Sequence, residues 1–312
     1  NRLTENHISA YPELSEVYMN LANYLGVSVD NLIITPGSEL GIKQIFETFC
    51  YENDEVIIVH PTYGMFKGYC EIMNLNNKIV NIDAELSIDV KAIIAAVTND
   101  TKIITVANPN GNTGSNISDT SMIELINFCE EKSILLLIDQ AYIEFLDTKL
   151  NLVDRIDDYN SVILVRTFSK AMGLAGLRIG YIVTNKKLRK FIFSTKAVHE
   201  VNSIAALAVN IILEDKLEIV KKEIDSLKSS KNKSVKALED IGVKTYYSSG
   251  NFIQVWLGRK KKRVLEELRK EKILVKDNGD NSILAGSIRI TIAPWENMKQ
   301  VISIIKEVIK DD

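Results

Sequence analysis

Six short runs rich in β-branched and aliphatic residues recur along the chain, with helical stretches or long connections between them. They are Glu55 to Val59, Lys78 to Ile82, Lys102 to Val106, Ile134 to Ile138, Ser161 to Arg166 and Leu177 to Val183. An antiparallel pair closes through a tight turn, whereas a parallel pair needs a long crossover, so this alternation predicts a mostly parallel sheet with both faces covered. The expected class is α/β. Ligands of such sheets lie at the carboxyl ends of the strands, which is where Asn108, Asp139, Tyr142 and Lys170 fall. At 312 residues the chain exceeds the size that one core usually serves, so a second domain is expected. A helix-periodic segment from Ile219 to Ile241 aligns Val220, Ile224, Leu227, Val235, Leu238 and Ile241 and is expected to bridge the domains. After Gly242 the pattern reads as a smaller α+β domain with strands Phe252 to Leu257 and Ser287 to Ile292.

The strand ends carry the chemistry. Arg166-Thr-Phe-Ser-Lys-Ala-Met-Gly-Leu-Ala-Gly-Leu-Arg178 sets Lys170 between hydroxyls and an arginine eight residues on. A lysine leaving a strand into a Gly-rich loop, once desolvated, acts as an amine that condenses with aldehydes. Thr167 and Ser169 offer hydroxyls, and Arg178 offers a planar fork for a phosphate. The plainer reading is a buried strand followed by a loop with a surface lysine. Against it stands Asp139, which closes the apolar run from Ile134 with Tyr142 three residues later. A pyridoxal cofactor draws electrons only while its ring nitrogen stays protonated, and a carboxylate there secures that proton; Tyr142 is placed to meet the ring hydroxyl. Thr35-Pro-Gly-Ser-Glu39 opens a helix whose Ser38 and Glu39 amides suit a phosphate, although a serine before a glutamate is also a capping motif. Tyr63 follows the strand Glu55 to Val59 and is placed to stack on a pyridine ring.

With these pieces in order, the chain resembles the fold-type I, class I/II pyridoxal phosphate-dependent aminotransferases, and among them the histidinol-phosphate aminotransferases. The matching segments are Tyr11-Pro, Gly37-Ser-Glu, Pro61-Thr-Tyr-Gly-Met, Asn108-Pro-Asn, Asp139 to Phe145, Arg166 to Tyr181, Asn251-Phe-Ile and Ile288-Arg-Ile-Thr291. The resemblance implies a large domain with a mostly parallel seven-stranded sheet over residues 26–200. It also implies an N-terminal arm and start of the small domain over 1–25, and an interdomain helix with the small domain over 201–312. It gives Lys170 the Schiff base with pyridoxal 5'-phosphate, Asp139 the ring nitrogen, Tyr142 the ring hydroxyl and Tyr63 the ring face. Ser38, Glu39, Thr167, Ser169 and Arg178 hold the phosphate, and Tyr11 reaches the phosphate of a neighbouring subunit in a homodimer with shared sites. Arg289 receives the substrate's acidic group. The implied reaction is ping-pong transfer between histidinol phosphate and 2-oxoglutarate. The alternatives are a threonine-phosphate decarboxylase, which uses the same anchor, and an aminotransferase for aromatic or other amino acids. A protein that only binds partners is a third class, against which intact Lys170 and Asp139 argue.

Three positions depart from the family pattern. Gly111-Asn-Thr-Gly114 stands where relatives have Asn-Pro-Thr-Gly, so the asparagine at the ring hydroxyl is a glycine; Asn110 or Asn112 is expected to replace it, with Asn110 favoured. Gln140 replaces a glutamate. Lys276 stands where relatives place an arginine for the substrate phosphate, keeping the charge and losing the fork. The chain begins Asn1-Arg-Leu-Thr, and the family's N-terminal segment over the site is not represented.

A net charge of −3 gives no global attraction to nucleic acid, and the basic clusters Lys186 to Lys190 and Arg259 to Arg263 read as solvated helix faces. With 46% apolar and 25% charged residues, disorder is not indicated. No apolar run reaches membrane-spanning length. Cys50, Cys70 and Cys129 are scattered and odd in number, which predicts reduced thiols in a cytoplasmic setting. His7, His60 and His199 lack metal-ligand spacing.

Overall fold

The structure is a computed structural model that describes residues 2–199, 201–280 and 282–310. Its larger sheet contains β1 (Leu32–Thr35), β2 (Glu55–His60), β3 (Asn76–Asn81), β4 (Thr101–Ala107), β5 (Leu135–Asp139), β6 (Val162–Thr167) and β7 (Gly180–Thr184). Among the described residues the order is β1-β7-β6-β5-β4-β2-β3. The β2, β3, β4, β5 and β6 pairs are parallel, and β7 runs antiparallel to both β6 and β1. The central runs β5 and β6 are almost wholly apolar because both faces are buried, whereas the edge strand β3 is polar and exposed at its ends: Leu136 and Ile138 enter one core, and Leu137 between them enters the other.

Register brings the chemistry-bearing ends level. Ala107 is opposite Asp139, Asp139 is opposite Val165, and Gly180 lies between Thr167 and Thr35. The last strand starts at Gly180 rather than at Leu177. Ala175–Leu177 forms a 3-10 turn, and Arg178 takes a left-handed backbone with φ of 50°. Such a conformation is costly for a residue with a Cβ. Here it reverses the chain so that the Arg178 guanidinium lies over Gly37, where a Cβ would come within 2.9 Å of it.

The smaller sheet contains β8 (Thr245–Tyr246), β9 (Phe252–Trp256), β10 (Lys276–Asp277) and β11 (Ser287–Thr291), in the order β10-β11-β9-β8 and antiparallel throughout. Its core joins Ile253, Val255, Ile288 and Ile290 to Leu268 and Ile305. The helix Leu217–Glu239 spans both units. Val220 packs on the large core, Ile224 and Leu227 on a cluster containing Tyr142 and Phe252, and Leu238 in the small core.

The helices Ser15–Leu25 and Ser203–Ile211 bury Val17, Leu21, Ala205 and Val209 in the core of the large sheet. The sequence reading places the first with the start of the small domain and the second beyond the large one. We propose the division along the helix Leu217–Glu239 instead. Among the described residues no helix is long and apolar enough to cross a membrane. Cys50, Cys70 and Cys129 are free, and burial pushes each thiol up to about 12.

Candidate active site

The carboxyl ends of β1, β4, β5 and β6 enclose one side of a cavity of about 380 Å³, and β10 and β11 of the smaller sheet close the other. Ser38, Glu39, Thr167, Ser169 and Arg178 line one end of the sequence-derived set. The helix Gly37–Phe49 begins at Gly37 after Pro36, and no side chain caps it. Ser38 is therefore not the cap that the alternative reading of that motif requires. The first-turn amides and the positive end of a 13-residue helix are left for an anion. Across from them, Arg178 Nη1 reaches Ser169 Oγ at 3.5 Å and the Ala175 carbonyl at 3.2 Å, while Thr167 Oγ1 accepts from the Ser169 amide at 3.1 Å.

Gly180 makes this cradle possible. A Cβ there would lie 2.6 Å from the Ser38 nitrogen, 2.7 Å from the Arg166 carbonyl oxygen and 2.8 Å from the Gly37 carbonyl carbon. All three are backbone atoms and none can rotate away. Gly180→Ala is expected to cost about 1–3 kcal/mol of stability through overpacking. An unchanged urea unfolding midpoint would refute that close approach.

Asp139 and Lys170 open into the same cavity. Burial pushes the Asp139 carboxyl up to about 6, against the Ala141 N–H, which donates to Oδ1 at 2.9 Å, and the Lys170 charge. Lys170 itself is exposed at the mouth, with Nζ 5.2 Å from the centroid of the Tyr142 ring. Tyr142 is buried on the cavity wall, edge-on to Phe252 at 5.6 Å. Tyr63 is 38% exposed and also lines the cavity. Burial and then a hydrogen bond to the Glu39 carboxylate push its phenol upward. Glu39 thus contributes a side-chain contact as well as its amide.

Lys276 and Arg289 sit opposite each other on β10 and β11 and face the cavity. Burial, and then the charge of Arg289, lower the Lys276 amine. Two cations held side by side favour an anion between them.

Two residues of the expected set lie elsewhere. Asn110 is fully buried and its amide is already spent: Oδ1 accepts from the Asn112 and Thr113 amides at 2.8 and 3.0 Å, and Nδ2 donates to the Pro61 carbonyl at 2.9 Å. The expectation that Asn110 stands in for the missing asparagine is corrected. The Asn112 N–H that locks it is one that the family's proline at that place does not have. Asn112 lines the cavity instead, though its own amide donates to the Thr62 carbonyl. Tyr11 is 79% exposed, away from this cavity, and stacks on His199 with centroids 4.2 Å apart. Gln140 is not among the residues lining the cavity, and its Oε1 accepts from Arg166 Nε at 2.8 Å. Ala107, Pro109, Gly111 and Ala141 also line the site. The Asn-Pro-Asn motif was the signal for Pro109, the Gly111-Asn-Thr-Gly114 departure for Gly111 and the Asp139 to Phe145 segment for Ala141; Ala107 had none.

Comparison with known proteins accords with this geometry. The family model for aminotransferase class I and II matches residues 4–305, so the chain belongs to that family of enzymes. It is 31% identical over 308 residues to the histidinol-phosphate aminotransferase of Christiangramia forsetii, covering 97% of this chain and 86% of that protein. It is likewise 31% identical over 316 residues to the histidinol-phosphate aminotransferase of Methanocaldococcus jannaschii, covering 97% and 82%. The histidinol-phosphate aminotransferase structure from Sinorhizobium meliloti, a complex with pyridoxal 5'-phosphate, superposes with a TM-score of 0.87 at 25% identity, covering 96% of this chain and 82% of that one. The fold is fold-type I, and the family implies pyridoxal phosphate as cofactor.

Proposed function

We propose that this enzyme binds pyridoxal 5'-phosphate and exchanges an amino group between histidinol phosphate and 2-oxoglutarate. The observation that carries the reading is that Lys170, Asp139 and the Lys276/Arg289 pair open into one cavity. The residues fit the cofactor: an uncapped helix start, two hydroxyls and a guanidinium suit its phosphate, and a buried carboxyl suits its ring nitrogen. When bound, pyridoxal phosphate supplies an aldehyde for an amine and a protonated ring that withdraws electrons.

In this reading Asp139 holds the ring proton and Tyr142 points its phenol at the ring hydroxyl. Tyr63 covers the ring face. Lys170 Nζ would be the amine that meets the cofactor's aldehyde and, once free, the base that holds the proton taken from the amine-bearing carbon of the substrate. Arg289 and Lys276 orient the substrate by its acidic group, and the absence of a second fork at 276 favours a bound anion held by charge more than by shape. Tyr11, exposed on the surface, is assigned to the phosphate of a second copy in a homodimer, and three free thiols suit a cytoplasmic setting.

The test is a half-reaction screen of the cofactor-loaded enzyme against histidinol phosphate, phenylalanine, O-phosphothreonine and glutamate, followed by absorbance. Histidinol phosphate and glutamate are expected to convert the cofactor to its amine form. Lys276→Arg is expected to lower KM for histidinol phosphate several-fold by adding a fork, because one more hydrogen bond contributes a net of about 0.5–1.5 kcal/mol. Conversion by phenylalanine alone overturns the substrate, and carbon dioxide release from O-phosphothreonine overturns the reaction in favour of the decarboxylase.

A further inference from the structure

Arg166 carries a full positive charge into the interior, where it is 8% exposed. Its hydrogen bonds go to neutral groups: Nε donates to Gln140 Oε1 at 2.8 Å, and the guanidinium also donates to the Tyr181 phenol. Gln140 and Tyr181 are buried as well. A desolvated guanidinium held only by neutral partners is costly, so a countercharge is required nearby. Glu144 faces it. Burial pushes the Glu144 carboxyl up to about 7, against the Arg166 charge and the residue's own backbone N–H. The other titratable groups that face this acid are Tyr24 and Tyr181, with Lys221 beyond Tyr24. Glu144 Oε2 is nonetheless buried without a hydrogen-bond partner among the described residues. The carboxylate thus serves Arg166 by charge alone, and the mechanism above uses neither residue.

We propose that Glu144 is a positioning residue: its carboxylate balances the buried Arg166 charge, and Arg166, bonded to Gln140, fixes the spacing between Asp139 and Thr167. This rests on the functional reading above and deepens it. Gln140 directly follows Asp139, the last residue of β5, and Arg166 directly precedes Thr167, the last residue of β6. Their side-chain bond therefore ties the neighbour of the ring-nitrogen acid to the neighbour of a phosphate hydroxyl. The backbone reinforces the tie, because the Gln140 N–H donates to the Val165 carbonyl at 2.8 Å. The Gln140 carbonyl in turn accepts from the Ile143 N–H at 3.1 Å, which opens the 3-10 turn Ile143–Phe145 that carries Glu144. Glu144 is not among the residues lining the cavity. Without its charge, the guanidinium is left buried among neutral groups and is driven toward water, pulling on Gln140 as it moves. Asp139 and Thr167 hold opposite ends of the cofactor, so a change in their spacing loosens its fit at both.

The experiment compares three proteins at about pH 8.5, where Glu144 is ionised: the native chain, Glu144→Gln, and the charge swap Gln140→Glu with Glu144→Gln. Three quantities are measured: the dissociation constant of pyridoxal phosphate by fluorescence quenching, the visible circular dichroism of the bound cofactor, and the melting temperature. In Glu144→Gln the dissociation constant is expected to rise about tenfold, within the range of coupling inside one polar network, and the visible dichroism to weaken. The charge swap sets a carboxylate directly against Arg166 Nε and is expected to return the dissociation constant to within about twofold of the native value, and the dichroism with it. Native affinity and dichroism in Glu144→Gln overturn the proposal, even where the melting temperature falls, because the acid is then structural only. A charge swap that binds as weakly as Glu144→Gln overturns it too, since the carboxylate then does not act through Arg166. Should Glu144→Gln fail to fold, the charge swap decides: it must fold and bind like the native chain, and its failure in either respect overturns the proposal. A native protein that takes up no pyridoxal phosphate overturns the functional reading instead, which separates the two failures.

Discussion

Lys170→Ala is expected to lower amino transfer on the order of 10⁴-fold or more while leaving the fold intact. Two roles meet on one nitrogen, attachment of the aldehyde and movement of the substrate proton, and general-base contributions alone are typically about 10²–10⁴-fold. Stability is untouched because Lys170 is exposed at the cavity mouth, and surface substitutions usually stay within about 0.5 kcal/mol. Single-turnover kinetics with glutamate measure the first effect and thermal unfolding the second. Borohydride should fix the cofactor to the native protein and not to the variant. A variant that retains more than a few per cent of the rate removes Lys170 from the mechanism.

Asp139→Asn is expected to cost on the order of 10²–10³ in rate, the usual loss when one preorganised electrostatic partner is removed, and to change the pH dependence of cofactor binding. Burial raises the Asp139 carboxyl from 3.8 to about 6. Before the cofactor binds, the folded chain thus keeps a proton that the unfolded chain has already released. The protein accordingly loses stability as pH rises from about 4 to 6, after which this contribution is flat. Cofactor binding has the opposite trend. A protonated ring nitrogen requires the carboxylate, so below pH 6 binding must expel a proton, and affinity should fall by up to about tenfold per pH unit. Asparagine has no proton to expel, and its affinity should be lower and flat across that window. Equilibrium binding followed by fluorescence quenching distinguishes the two proteins; parallel pH profiles would show that Asp139 is not the ring partner.

Much of the site is legible along the chain because its residues occupy fixed places at strand ends. Asp139 closes an apolar run, and Lys170 follows another by three residues, so a parallel sheet places both at one edge whatever the details of packing. The misassignment of Asn110 has a different origin. Three asparagine side chains lie within a few residues of Gly111, and sequence does not report which amide is free. The structure spends Asn110 on two backbone N–H groups and a carbonyl, a local bonding pattern favoured for asparagine in turns.

The sequence by itself determined the parallel α/β class, the two-sided burial of the central strands and the set of groups that gather at their carboxyl ends, because periodicity and strand-end position are local properties of the chain. Only the tertiary structure decided which of those groups touch. Arg178 meets Gly37 through an antiparallel strand inserted between β1 and β6, and Arg289 meets Gly111 across two sheets, 178 positions apart along the chain. Contacts of that kind depend on how close-packed surfaces interlock, and a one-dimensional pattern carries no information about the fit of a ring edge against a glycine.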